Sequence, residues 1–294
     1  MRKGSTSRHP VEEVTLRGDE VARRPRRDVL ATEEPLEIRL VPAGEPAHRV
    51  SVTMRTPGAD FELAAGFLYG EGVVSDPRDV AAIRYCVDAG VDGAQQYNVV
   101  NVHLAPWAQF DPEVLRRNFY TTSSCGVCGK ASIEAVRGAG CPLVSTEVEV
   151  SVDTLLSLPG KLREAQALFE RTGGLHGMAL FTAAGELLRV REDVGRHNAM
   201  DKLVGASFLA GDLPLAGHVV LASGRLSFEL VQKAARAGVA VLAGVSAPSS
   251  LAVELAAEAG MTLVGFLREG RFNVYTGGER VSSVTATAMQ GGEP

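Results

Sequence analysis

Cys125 and Cys128 stand in Ser123-Ser124-Cys125-Gly126-Val127-Cys128-Gly129-Lys130, a C-x-x-C spacing set among small residues and one cation. The thiolate, not the thiol, is the nucleophile of sulfur chemistry, and this segment favours it in three ways. Ser123 and Ser124 are capping residues and Lys130 to Val136 reads as the helix that follows, so the cysteines lie at or just before its amino end. Unpaired N–H groups and the positive end of the helix dipole stabilise an anion there, and Lys130 adds a charge. Gly126 and Gly129 leave the sulfur atoms uncrowded and let the loop bend toward another macromolecule. The segment reads as a reactive one, its cysteines Cys125 and Cys128 able to attack sulfur as thiolates. Two other uses of the spacing fit less well. A zinc site needs about four ligands, and neither a second C-x-x-C nor a nearby His pair accompanies these two, so no metal is expected. A thioredoxin-like dithiol follows a strand directly, whereas a short helix over Pro112 to Phe119 leads into this segment. Cys86 and Cys141 have apolar neighbours and read as small core residues.

A second set of candidates follows the strands of a regular run. Strand His218 to Ala222, helix Phe228 to Ala237, strand Val239 to Gly244, helix Leu251 to Ala259 and strand Thr262 to Leu267 make a β-α-β-α-β unit, which predicts a parallel sheet with right-handed crossovers. In such sheets the ligand crevice lies beyond the carboxyl ends of the strands. There stand Ser223-Gly224-Arg225-Leu226-Ser227, then Ser246-Ala247-Pro248-Ser249-Ser250, then Arg268-Glu269-Gly270-Arg271. Hydroxyl residues opening helices, with arginines alongside, suit an anionic, nucleotide-like ligand. Taken singly, each serine reads equally well as an N-cap and each arginine as a solvated charge. Arg191 to Lys202 crowds eight polar or charged residues around Gly195, too dense for a mere connector. His197 within it, and His176 in Thr172-Gly173-Gly174-Leu175-His176-Gly177, could each serve acid–base chemistry or hold a helix start by hydrogen bonds.

The elements that would position these groups give an α+β first part and an α/β second part. Residues 1 to about 33 are Arg-bearing and without periodicity, and read as a disordered arm. Leu36 to Leu40 and Val50 to Met54 alternate as a β-hairpin, Asp60 is placed to N-cap a helix over Phe61 to Leu68, and Val99 to Leu104 reads as a strand. A helix from about Gly160 to Phe169 leads to a hairpin of Met178 to Thr182 and Glu186 to Val190 around Ala183-Ala184-Gly185. The chain has 294 residues, 45% of them hydrophobic, enough to bury two modest cores. A net charge of −5 and a single Trp argue against nucleic acid, so any phosphate must be held locally. No stretch is apolar for the length of a membrane span, no secretory leader is evident, and neither G-x-G-x-x-G nor a P-loop occurs. A cytoplasmic protein is expected, with no membrane partner.

These residues together resemble the FdhD family, the formate dehydrogenase accessory sulfurtransferases. The resemblance spans roughly Leu36 to Gly277 and rests on Arg55-Thr56-Pro57-Gly58-Ala59-Asp60-Phe61-Glu62-Leu63, Ser123 to Lys130, Thr172 to His176, Arg191 to Lys202, Ser223-Gly224-Arg225 and Ala247 to Gly265. It implies a sulfur relay in which a cysteine desulfurase loads Cys125 as a persulfide. The sulfur then passes to the molybdenum of the bis(molybdopterin guanine dinucleotide) cofactor, a bound substrate, on behalf of formate dehydrogenase. Cys128 is implied as a helper, and Phe266, Leu267, Arg268, Glu269, Gly270 and Arg271 as the contact with the guanine dinucleotide, next to Ser223, Gly224 and Arg225. The resemblance also implies a homodimer and an organisation into the arm at 1–33, an α+β subdomain at 34–125, a cytidine-deaminase-like domain at 126–280 and a flexible tail at 281–294. Deaminase chemistry itself is not implied, because the chain lacks the H-x-E and P-C-x-x-C pair that a zinc deaminase requires.

Overall fold

Strands of period-two apolar sequence and the helices laid on them build two cores. A computed structural model describes residues 4–86, 95–108, 144 and 148–283. The first core lies under a four-stranded sheet of order β4-β3-β6-β5, formed by β3 (Glu34–Val41), β4 (His48–Arg55), β5 (Val80–Tyr85) and β6 (Val99–Leu104). Leu36, Ile38 and Leu40 alternate inward from β3 and are fully buried against Leu63, Ala64 and Leu68 of helix α1 (Asp60–Gly70). Cys86 is buried here as well, as expected of a small core residue.

The second core surrounds a six-stranded sheet of order β13-β12-β11-β10-β8-β9. Its members are β8 (His176–Thr182), β9 (Leu187–Asp193), β10 (His218–Ala222), β11 (Val241–Gly244), β12 (Thr262–Arg268) and β13 (Arg271–Thr276). A short parallel pair joins β7 (Val150–Ser151) to β14 (Val281–Ser282). The β-α-β-α-β run is present: β10, β11 and β12 are parallel and adjacent, joined through α5 (Phe228–Arg236) and α6 (Ser250–Glu258). Helix α4 (Arg196–Ala210) packs across β8 and β9, and α2 (Val152–Ala165) also contacts the sheet. Both cores are joined where α1 crosses α4. The two helices touch backbone to backbone: a Cβ on Gly66 would lie 1.9 Å from the Asp201 carbonyl oxygen, and one on Gly205 would lie 1.9 Å from that of Glu62.

Three sequence expectations are corrected. The stretch read as a disordered arm is a hairpin of β1 (Thr6–Arg17) with β2 (Glu20–Ala31), closed by Gly18-Asp19 with Gly18 at φ +62°. Its charges, which suggested disorder, face each other across the strands as the pairs Glu12–Arg23 and Glu13–Arg24, and its base is tied by Thr32 N–H to Ser5 O and by the Ser5 hydroxyl to Pro57 O. Asp60 is not a cap: α1 starts at Asp60 after Ala59 in the left-handed region. Its carboxylate accepts instead from Arg55 (Nε–Oδ1 3.0 Å, Nη2–Oδ2 3.1 Å) and from the Tyr85 hydroxyl. A guanidinium 1% exposed requires a countercharge, and that demand outweighs a cap. The helix expected over 160–169 is two helices. Helix α2 begins at Val152 under a Ser151 cap and runs through Pro159, and α3 (Ala167–Thr172) follows a break at Gln166. Pro159 removes one helical hydrogen bond, but full burial of Leu155, Leu158 and Leu162 holds the turns on either side. The helices expected over 112–119 and 130–136 lie outside the described residues.

Candidate functional site

The carboxyl edge of the six-stranded sheet gathers the residues that the sequence had scattered. Strand β8 runs antiparallel to β10, so its first residue, His176, lies where β10 ends. Ser223 fixes that junction: its backbone N–H donates to Gly177 O, and its hydroxyl accepts from Gly177 N–H, both at 2.9 Å. Gly224 then passes so close to the imidazole that a Cβ there would lie 3.1 Å from His176 Nδ1. The turns after β10 and β11 are bonded to one another through Leu226 N–H to Ala247 O and Ser249 N–H to Leu226 O. Ser249 also caps α6 by accepting from Ala252 N–H, the plainer of its two expected roles.

Asp193, opposite His176 at the end of β9, is fully buried and anchors this edge to the first core. One carboxylate oxygen accepts from Gly195 N–H and Asn198 Nδ2; the other accepts from Thr56 N–H and pairs with Lys202 Nζ at 2.6 Å. Lys202 also donates to Thr56 O, and Asn198 to Met54 O, so the end of β4 is held to the start of α4. The polar run Arg191 to Lys202 thereby resolves residue by residue. Arg191 forks onto Glu62 of α1, and the Glu192 carboxylate accepts from Leu168 and Phe169 N–H at the start of α3. His197 Nε2 lies 3.0 Å from Glu229 and 3.1 Å from the Ser227 hydroxyl, coupling the starts of α4 and α5. Asp201 pairs with Lys233 in the interior, where burial pushes its carboxyl up to about 6 against the pull of the ammonium. These are tertiary partnerships; the density of polar residues was the only trace of them in the sequence.

His176 is half-buried, and burial followed by the charges of Arg196 and His197 holds its imidazole below the ordinary range despite Asp193 nearby. This setting favours the neutral ring. Beside it opens a cavity of about 530 Å³ whose walls include Leu162, Gln166, Phe169, Leu175, Ser223 and Val245. Sequence reasoning did not single out Gln166 or Arg196. Gln166 is 4% exposed, and among the described residues neither its Nε2 nor Arg196 Nε has a hydrogen-bond partner. Such orphans are uncommon in a folded interior.

The other expected contact, Phe266 to Arg271, forms the connection from β12 to β13. Leu267 is fully buried, Arg268 and Arg271 pair across the turn, Arg268, Glu269, Gly270 and Arg271 are exposed, and Phe266 adopts φ +52° at an irregularity in the ladder. The Leu267 side chain is thus spent on the core, and a ligand here would meet backbone groups and the two arginines. Arg225 is exposed at the same edge. Cys125, Cys128 and Cys141 lie outside the described residues. Among the described residues no group of three or more His, Cys, Asp or Glu is placed to hold a metal, and no helix is long and apolar enough to cross a membrane.

The chain is 57% identical over 271 residues to the sulfur carrier protein FdhD of Streptomyces coelicolor, covering 92% of this chain and 94% of that one. It is 52% identical to the protein of that name from Mycobacterium tuberculosis, covering 91% and 96%. A crystal structure from Desulfotalea psychrophila, described as that of a formate dehydrogenase accessory protein, superposes with a TM-score of 0.68 at 25% identity, covering 94% of this chain and 99% of that one. Residues 31–282 match the FdhD/NarQ family, and the chain belongs to it.

Proposed function

We propose that this protein is a sulfur carrier for formate dehydrogenase maturation and that Cys125 bears the sulfur as a persulfide. The observation that supports the reading best is the near full-length identity to relatives named sulfur carrier proteins, joined to the Ser123 to Lys130 segment in which a thiolate is favoured. The Cys125 thiolate attacks the terminal sulfur of a cysteine desulfurase persulfide. The new S–S bond forms as the desulfurase thiolate leaves, so sulfane sulfur moves without net oxidation. The outer sulfur then passes to the molybdenum of bis(molybdopterin guanine dinucleotide), the bound substrate: the S–S bond breaks with the Cys125 thiolate as leaving group, the reduced metal supplies the two electrons that take sulfane sulfur to sulfide, and Cys128 assists the exchange. The substrate's phosphates face the carboxyl edge of the sheet, where Ser223, Gly224, Arg225 and the backbone of Phe266 to Arg271 stand ready, and formate dehydrogenase is the client. The setting is the cytoplasm, where thiols are kept reduced.

The test is activation of the client in cells lacking the native gene. Cys125→Ala should leave formate dehydrogenase assembled but without activity. Full activity with Cys125→Ala would instead assign the protein as a chaperone that shelters the substrate without carrying sulfur.

A further inference from the structure

The two faces of the β1–β2 hairpin are built differently. Its strands form a sheet of their own, paired over twelve residues without a bulge and joined to no other strand among the described residues. At ~3.4 Å per residue the ribbon is about 40 Å long. A two-stranded ribbon is only marginally stable alone in water, so one this long gains from a protein that covers it. Its base adjoins the cavity beside His176. Arg171 Nη2 donates to Thr6 Oγ1 at 3.5 Å, and a Cβ on Gly174, which lines that cavity, would lie 3.9 Å from the Cβ of Ala31.

The register sorts the side chains. On one face the charges pair among themselves: Glu13 takes Arg24 and Arg26, and Arg26 also meets Asp28. That face is self-contained and suits water. The residues of the other face are exposed from Arg8 to Leu16 and from Val21 to Arg27. At its tip stand Val14, Leu16 and Val21, exposed by 51%, 71% and 56%, with Leu16 directly opposite Val21. Behind them come Arg23, Arg27 and Arg8 against a single acid, Glu12, which Arg23 takes. Arg8 and Arg27 meet no carboxylate among the described residues. An apolar end backed by surplus cations is complementary to an acidic protein surface that offers an apolar contact.

Other occupants fit this face less well. Pro10 and Pro25 stand mid-strand, one on each edge, where neither can donate to an added strand, so edge-to-edge pairing is hindered. A second copy packing the same face about a two-fold axis would bring one cationic patch onto another. No aromatic residue stands on this face to anchor it in a membrane or to stack on bases, and a chain of net charge −5 repels polyanions.

We infer that this face, through Val14, Leu16 and Val21 with Arg8 and Arg27, docks an acidic surface of the protein that receives the substrate, the formate dehydrogenase client. The inference rests on the carrier reading and adds to it the surface that meets the client. A client seated on the ribbon is held next to the cavity rim and the carboxyl edge, where the substrate is to be handed over, whereas the sulfur donor has to reach only Cys125.

Apo-formate dehydrogenase from cells lacking the native gene is titrated by calorimetry into the full chain as wild type, Leu16→Ser with Val21→Ser, Arg8→Gln with Arg27→Gln, and Arg17→Gln on the opposite face. Both double variants should bind the client at least about ten-fold more weakly, and Arg17→Gln should match wild type. Wild-type binding should also weaken as salt rises from about 0.05 to 0.5 M, because exposed charges are screened. Unchanged client affinity in both double variants, or wild-type binding indifferent to salt, overturns the inference. The salt series needs no variant and decides the matter if the variants lose their hairpin. A loss confined to self-association, to anionic lipid vesicles or to the cysteine desulfurase, each measured alongside, also overturns it and assigns the face to that occupant. Sulfur loading of wild-type Cys125 separates the two readings: a protein that loads sulfur but binds the client without this face refutes the docking inference alone, and one that loads none refutes the carrier reading.

Discussion

Asp193 shows how one side chain can organise a site without acting in it. With both oxygens filled by Gly195, Asn198, Thr56 and Lys202, it has no lone pair to offer a substrate, and its work is to hold β4, β9 and α4 in register. Removing Lys202 by Lys202→Met leaves a buried carboxylate unpaired and should cost about 3–5 kcal/mol, read as a lower urea midpoint. His176 makes a prediction in pH. Its folded pKa is below the ordinary value, so the unfolded chain binds the extra proton first as pH falls. The stability tied to the neutral ring is present above the unfolded pKa of about 6.5 and is lost as pH falls through the folded one. His176→Gln should accordingly lose less stability than wild type between about pH 7 and 5, and the wild-type ring should titrate by NMR below a peptide histidine. Two residues show the limit of reading at this scale. Gln166 is one more polar residue near a helix end until α3 folds over it, and Arg196 looks as solvated as its neighbours. A side chain without a partner leaves no mark in sequence.

At the scale of elements, the strands and helices from His218 to Arg268 were legible because each apolar run has the length and period of its element and hydroxyl residues mark the helix starts. The first hairpin was not, since its alternation is carried by charged pairs that satisfy each other only across strands; Gly18-Asp19 was the local signal available. The helix over 152–165 was read as starting only at about Gly160; burial of Leu155 and Leu158 holds its first turns ahead of Pro159. The crossing of α1 and α4 was invisible for a different reason: Gly66 and Gly205 look like helix weaknesses until their backbones are seen in contact. Gly66→Ala and Gly205→Ala should each lower the melting temperature, with a cost of about 1–3 kcal/mol or more despite the better helix propensity of alanine. An unchanged melting temperature would show that the helices slide apart freely and that this joint does not fix the two cores.

At the scale of the whole molecule, two cores are locked by a buried polar seam, and that seam ends at the sheet edge where His176, Ser223 and Arg225 meet. On the proposed reading, this seam would hold the anionic substrate still while the Cys125 thiol reacts with it. The carboxyl edge of the sheet was legible from the strand order; the division of labour within Arg191 to Lys202 needed the fold, because its partners, Glu62, Thr56 and Glu229, are distant in sequence. The central claim concerns Cys125. Its most direct test is intact-protein mass spectrometry after incubation with a cysteine desulfurase and cysteine, for wild type, Cys125→Ala and Cys128→Ala. The account predicts a sulfur-mass adduct on wild type that reduction removes and that Cys125→Ala lacks. Wild type without an adduct, under conditions that load a known acceptor, would contradict it.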